Sequence, residues 1–341
     1  MTIQELMLVD PDDRTYEWLV TALGAAVELE LATLPPYLTA LWSIDDGHGP
    51  AISAITHVVK EEMLHMVLAG NMLSAIGGSV RLTPPSYPGH LPHDVIPDLV
   101  VPLTALSPET LKNVFMAIEY PETAPVTEAP DPQDYAVIEA MYAPIRSGEY
   151  TSIGKFYDAI SDTFCSLDPP LRSDFQLTGT VGGHSFGATD TREKVDRAIT
   201  EIKEQGEGTS RSPFDDPGFG SELSHFYRFA EVYHGARIVH RDGRWVYDGD
   251  PVPFPVVFPM GPVPEGGYTD ENDVVQQLVD EFNASYRSIL HDLEAAWATP
   301  NGNDLLGKAV GEMFDLQRPA QSLMKIERPD DVGTYGPDWR A

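Results

Sequence analysis

Residues 51–78 read AISAITHVVKEEMLHMVLAGNMLSAIGG. Ile55, Val58, Val59, Met66, Ala69, Leu73 and Ile76 recur at helical spacing and mark one apolar stripe. Two positions that the stripe assigns to the core hold Glu62 and His65 instead, while Lys60 falls on the far side of the helix. The run stops at Gly77-Gly78, a helix-ending pair. A carboxylate and an imidazole three residues apart stand one turn apart on one face, so both can reach one metal ion. Burying either without a partner is costly, so the pattern points to a metal or to an ion-pair network.

The preceding segment repeats the anomaly. From Arg14 to about Trp42, apolar residues such as Leu19, Leu23, Ala26, Val27, Leu34, Leu38 and Leu41 follow helical spacing. Glu30 lies within the stripe of Val27, Leu34 and Tyr37, whereas Glu28 turns toward solvent. Pro35 and Pro36 are expected to kink or unwind this helix. The turn cluster Asp45-Asp46-Gly47-His48-Gly49-Pro50 is short enough to make the two helices antiparallel neighbours. Downstream, SELSHFYRFAEVYH (221–234) reads as one helix, with Glu222 and His225 beside Phe226, Phe229 and Tyr233. Its second Glu-x-x-His, Glu231 and His234, reads as a surface ion pair with Arg228. A glutamate from one helix followed by Glu-x-x-His on the next, met twice, is the di-metal carboxylate pattern of ferritin-like bundles. A further carboxylate should lie level with Glu222 across the preceding loop. Glu207 is preferred by its distance from the loop, with Glu204 and Glu201 behind it; the helix containing Lys155 offers Asp158 but no glutamate.

Between these segments lie an extended, proline-rich crossover (79–106), a short helix from Ser107 to about Ile118, a proline-rich loop (121–134) and short helices near 134–145 and 152–164. An amphipathic helix follows over 191–205. Asp242-Gly243 marks a hairpin, and helices are expected over 270–297 and 303–325. The fold class is therefore mainly α: a four-helix bundle with long irregular insertions, a small β-hairpin and extra C-terminal helices. Residues 1–235 read as the bundle, and 236–341 as a hairpin and helices packing on the same domain.

With 53 acidic and 22 basic residues the chain carries a net charge of −31, which argues against nucleic acid and anionic membranes as partners. The single cysteine, Cys165, excludes an internal disulfide framework and a cysteine metal site. The N-terminal stretch has no basic-then-apolar leader pattern, and no uncharged apolar run approaches about 18 residues; the reading is a soluble, cytoplasmic protein. The glycine-containing stretches at 182–187 and 206–208 lack the lysine and strand–turn–helix context of a phosphate loop.

ELATLPPYLTALWSI (30–44), EEMLHMVLAGNMLSAIGG (61–78), YPGHLPHD (87–94), AIEYPE (117–122), IKEQGEGTS (202–210) and ELSHFYRFAEVYHG (222–235) resemble the ferritin-like, iminophenyl-pyruvate dimer synthase type domain family. That family includes domains acting in violacein and rebeccamycin biosynthesis. The likeness continues through YDGDPVPFP (247–255) and FNASYRSILHDLEAAW (282–297). It implies a ferritin-like core and an enzyme of secondary metabolism, typified by oxidative coupling of two amino-acid-derived imines. Glu30, Glu62, His65, Glu222 and His225 match the family's helical motifs, and Glu207 comes from the matching QGEG segment. Lys155 stands in a helix where relatives are expected to carry an acid. The donor set suits iron, mononuclear or dinuclear, with manganese as the alternative. The partners implied are O₂ and a small, aromatic, amino-acid- or ketide-derived metabolite. Tyr37, Phe226, Phe229 and Tyr233 read first as ordinary core and second as substrate walls, and a pocket of several hundred Å³ is expected beside the ligands. Two other readings use the same residues: an iron-handling protein, and a metal-free cyclase or binding protein.

Overall fold

The computed structural model describes every residue except 46, 122–134, 150, 210–211, 217–218 and 270–271. Its helices are α1 (Ile3–Met7), α2 (Tyr16–Trp42), α3 (Pro50–Ala75), α4 (Pro108–Thr110), α5 (Met116–Ile118), α6 (Ala136–Arg146), α7 (Ile153–Leu167), α8 (Arg192–Glu207), α9 (His225–His234), α10 (Asp273–Ala296), α11 (Gly302–Asp315) and α12 (Gln317–Leu323). A π-helical turn, Leu111–Phe115, joins α4 to α5. Three antiparallel two-stranded hairpins complete the described elements: β1 (Gly89–His90) with β2 (Val100–Val101), β3 (Gly179–Val181) with β4 (His184–Phe186), and β5 (Ala236–Arg241) with β6 (Arg244–Pro251). The last of these turns at Asp242-Gly243, both at positive φ, as the sequence indicates. The proline-rich loop expected over 121–134 falls almost wholly outside the described residues.

The bundle forms because long apolar helices begin at well-defined caps. Thr15 accepts the Trp18 amide to start α2, and Gly49-Pro50 opens α3 with proline at its first position. Ser152 and Thr191 cap α7 and α8 in the same way. Helix α2 packs along α3, α7 packs on α2 and α8, and α8 returns to α3, closing a ring of four. Helix α9 lies against α3 and the π turn.

Two sequence expectations are corrected here. Pro35 and Pro36 do not unwind α2, which is helical from Tyr16 to Trp42. Pro36 cannot donate to the Ala32 carbonyl, and the Tyr87 hydroxyl donates to that oxygen in its place. The final helical run divides at Leu316 into α11 and α12.

The C-terminal third is sewn into the bundle. Fully buried Asn71 on α3 accepts from the Leu177 amide (2.8 Å) and the Trp297 indole (3.0 Å) and donates to the carbonyls of Leu177 and Gly187. Trp339 stacks on Trp42 at 5.5 Å and donates to Thr39 at 2.8 Å. Helix α12 also packs on α2. By length and composition α2 alone among the described helices could cross a membrane, but 78% of its most apolar window is covered by the rest of the protein, as in a core helix.

Candidate metal centre

Glu30 from α2 and Glu62 and His65 from α3 converge inside the ring, all buried. His65 Nδ1 lies 3.5 Å from Glu62 Oε1 and 3.7 Å from Glu30 Oε2. Its other nitrogen, Nε2, is 2.8 Å from Gln205 Oε1 on α8; that carbonyl oxygen can only accept, so the network places the proton on Nε2 and turns Nδ1 toward the carboxylates. Tyr157 on α7 donates to Glu30, and Thr33 donates to Glu62 Oε2 at 2.5 Å. All four helices of the ring therefore hold this group.

A second buried group shares Glu62. His225, at the first position of α9, places Nδ1 at 2.9 Å from Glu62 Oε1 and 3.4 Å from Glu119 Oε2. Glu119 follows the π turn and α5, and accepts from Tyr37 at 2.6 Å. His225 Nε2 lies 3.1 Å from Glu61 Oε2, a carboxylate partner of the kind that fixes the tautomer of a ligating imidazole. The two groups, Glu30–Glu62–His65 and Glu62–Glu119–His225, each bring ligand atoms within 4.8 Å of one another. Glu62 stands between them, and the two imidazole rings are stacked 5.4 Å apart.

The charges are tightly interdependent. Burial opposes the charge on Glu62, but His225 and His65 outweigh it and hold the carboxyl down at about 2. Burial likewise opposes protonation of His65, yet Glu30 and Glu62 push it up to about 10. His225 is also raised well above the ordinary range, against burial, by Glu119, Glu61 and Glu62. Glu119 is raised by burial and by the Glu62 charge. Without a metal, protonation of His65 and His225 would offset part of the carboxylate charge. A divalent ion would take over that role and release those protons.

The Ferritin-like family's sequence model matches residues 23–234. The chain belongs to the Ferritin-like family. It is 26% identical to dichlorochromopyrrolate synthase of Lentzea aerocolonigenes over 94% of this chain and 35% of that protein, so it spans about a third of the relative's length. A ferritin-like protein from Caulobacter vibrioides, known from a crystal structure, is 23% identical, with a TM-score of 0.62 covering 96% of this chain and 99% of that one. The shared element is the fold.

Of the residues singled out in the sequence, the ring and α9 together bring in Glu30, Glu62, His65 and His225. Glu222 stands apart. The sequence reading runs one helix from Ser221, but α9 begins at His225, and Glu222 is held in an extended bridge by Asp215, whose Oδ1 accepts the Glu222 amide at 2.6 Å. Without helical backbone the three-residue spacing does not align the two side chains. Glu222 is 48% exposed and pairs with Arg228 at 2.8 Å. Glu207, at the end of α8, lines the cavity beside the centre but does not belong to either group. Glu204 accepts the Asp216 amide, Glu201 is half-buried on α8, and Lys155 is exposed on α7. Glu231 is not at the surface: it is buried, accepts the Ile238 amide at 2.8 Å and pairs with Arg237, because β5 folds back over α9.

Sequence reasoning misses Glu119, Glu61, Tyr157 and Gln205 as members of the site. The only pointer to Glu119 is its place in the AIEYPE motif, since three-residue helices around a π turn carry no stripe. Tyr37 and Phe229 are fully buried against each other and Phe115, and Phe226 is fully buried against Tyr120, Tyr135 and Tyr227. The cavity at the centre is about 50 Å³, bordered by Glu30, Glu62, His65, Glu119, Tyr157 and Glu207. That is smaller than the several hundred Å³ expected: as it stands it has room for ions and a few waters, and an aromatic metabolite would require it to open.

Proposed function

We propose that the protein is a metal-dependent oxidative enzyme of secondary metabolism that acts on a small, aromatic, amino-acid- or ketide-derived metabolite. The observation that carries the metal is Glu62, wholly buried between two imidazoles and two further carboxylates. His225 Nδ1 supports the fit: fully buried, 2.9 Å from Glu62 Oε1, and yet without a hydrogen-bond partner, as a ligand atom facing a shared ion would be. Glu30, Glu62 and His65 would hold one ion, and Glu62, Glu119 and His225 another. The mixed carboxylate and imidazole donors suit iron, with manganese as the alternative.

Bound there, such an ion supplies one-electron redox chemistry with O₂ as oxidant. The chain's own residues do the rest. Gln205 and Glu61 hold the two imidazoles with Nδ1 facing inward, and Tyr157, Tyr37 and Thr33 aim the carboxylates. The apolar ring keeps bulk water from the charges. The substrate class rests on the likeness to dichlorochromopyrrolate synthase, whose name describes a synthase of a small organic product.

The test is to load the purified chain with Fe²⁺ and supply aryl-pyruvate-derived imines with and without O₂. Iron-dependent O₂ uptake with a coupled or oxidised product by mass spectrometry is the expected result. No consumption of any such imine, with iron bound, would remove the substrate assignment. The 50 Å³ cavity favours a second reading, iron handling, in which Fe²⁺ and O₂ are themselves the substrates. O₂ consumed in fixed proportion to added Fe²⁺, unaffected by any organic compound, would establish that reading instead.

A further inference from the structure

Glu61 has two oxygens with different surroundings. Oε2 faces His225, while Oε1 is buried, has no hydrogen-bond partner, and points the other way, toward His57 and His184. His57 Nε2 lies 3.2 Å from that oxygen, and it too is buried with no hydrogen-bond partner. His184 Nε2 lies 3.9 Å from the same oxygen. His57 Nε2 and Glu61 Oε1 stand at an ion-pair distance without hydrogen-bond geometry, a spacing that ligands of one ion also take: with metal–ligand distances near 2.1 Å, neighbouring ligands of a tetrahedral ion stand about 3.4 Å apart. His184 Nε2 stands about half an ångström beyond that spacing from Glu61 Oε1, and ligand atoms of all three residues lie within 4.8 Å of one another.

We propose that His57, Glu61 and His184 form a second site for a divalent first-row transition ion, beside the buried centre and nearer the surface. Two imidazoles and one carboxylate, with the remaining positions open, make a donor set for Zn²⁺, Fe²⁺ or Co²⁺ rather than for Mg²⁺ or Ca²⁺. The three residues come from two elements brought together by design of the backbone. His57 and Glu61 are one turn apart on α3. His184 begins β4, directly after Gly182-Gly183, the turn of the β3–β4 hairpin. Gly182 has φ +63, and a Cβ there would lie 2.4 Å from Lys60 Cβ. Only glycine lets the hairpin lie flat on α3 at Lys60, which sets His184 over Glu61. The glycines at 182–183 thus find their use in placing a ligand. Glu222 Oε2, 4.0 Å from His57 Nε2, closes the rim but is engaged by Arg228.

The test uses the full chain, stripped with chelator and titrated with Co²⁺, following bound metal by equilibrium dialysis and the ligand-field bands in the visible spectrum. The His65→Ala/His225→Ala double variant removes ligands of the buried centre, so that failure of that centre and failure of this site are separable. Expected is one Co²⁺ still bound in the double variant, with affinity falling about tenfold or more when His184→Ala is added. In an otherwise unaltered chain, His184→Ala should lower the saturating Co²⁺ by one equivalent. Gly182→Ala, which removes no ligand, should weaken the same equivalent. Because His184 lies on a surface hairpin, circular dichroism should show its variant folded. Unchanged stoichiometry, affinity and spectrum in His184→Ala, or no Co²⁺ bound by a folded double variant, would overturn the proposal.

Discussion

Stripping the metal and raising the pH should destabilise the protein in a way that the loaded form does not share. In the metal-free centre His65 titrates at about 10, against about 6.5 for an unfolded histidine. Its stabilising pairing with Glu30 and Glu62 is fully present below about 6.5 and is lost as pH rises through about 10. Between pH 7 and 9 the folded chain holds a proton that the unfolded chain has released. One such proton lowers stability by about 1.4 kcal/mol per pH unit, or about 2.7 kcal/mol over the interval. His225, also raised, acts in the same direction. At about 2 °C per kcal/mol for a chain of this size, the chelated protein should lose about 5 °C or more in Tm. With metal bound the imidazoles are already deprotonated, so the loaded protein should show no such fall. Other shifted groups, such as His93 beside Glu28, contribute equally to both forms. The quantity to measure by calorimetry is therefore the gap between the chelated and loaded Tm at pH 7, 8 and 9, which should widen. Parallel curves would refute a protonated imidazole pair that gives way to metal.

Glu62→Ala removes the carboxylate shared by both buried groups and should abolish iron at both, and Glu119→Ala should lower iron content, whereas Glu222→Ala should leave the buried iron unchanged; elemental analysis of the three variants ranks them. Tyr157→Phe deletes the donor to Glu30 without changing its shape, so metal affinity, read by competition with a chelating dye, should fall about tenfold, and the apo form should lose about 1–3 kcal/mol of stability. Asn71→Ala strands the buried Leu177 amide and Trp297 indole and should cost about 2–5 kcal/mol in urea unfolding; a loss below about 1 kcal/mol would mean that water replaces the amide.

Glu30, Glu62 and His65 were legible because helical period alone places them in an apolar stripe, where a charged side chain has no inexpensive explanation. His225 was legible for the same reason, but its partner was misplaced. Glu222 sits three residues earlier, and only the Asp215 bridge, a contact between loops, reveals that the helix has not yet begun. Glu61 illustrates a different limit. One stripe marks one buried face, but α3 is covered on several sides, by α2, α8, α9 and the β3–β4 hairpin, so a residue adjacent to the stripe is buried too. The doubled proline in α2 misled for a third reason: the hydroxyl that satisfies the freed carbonyl comes from Tyr87, in the crossover.

The tie between Trp339 and Thr39 also has a temporal side. The two residues are 300 positions apart, so a ribosome working at 5–20 residues per second makes the second about 15–60 s after the first. Throughout that time the most apolar helix of the bundle has emerged without the Trp339 ring, and without α12, to cover its Trp42 end. A nascent chain with such an uncovered helix is a chaperone substrate, and it shares its hydropathy with segments that are handed to membranes. Yield of folded protein should therefore respond to translation speed and chaperone supply, and limited proteolysis of stalled chains would locate the moment at which α2 becomes protected.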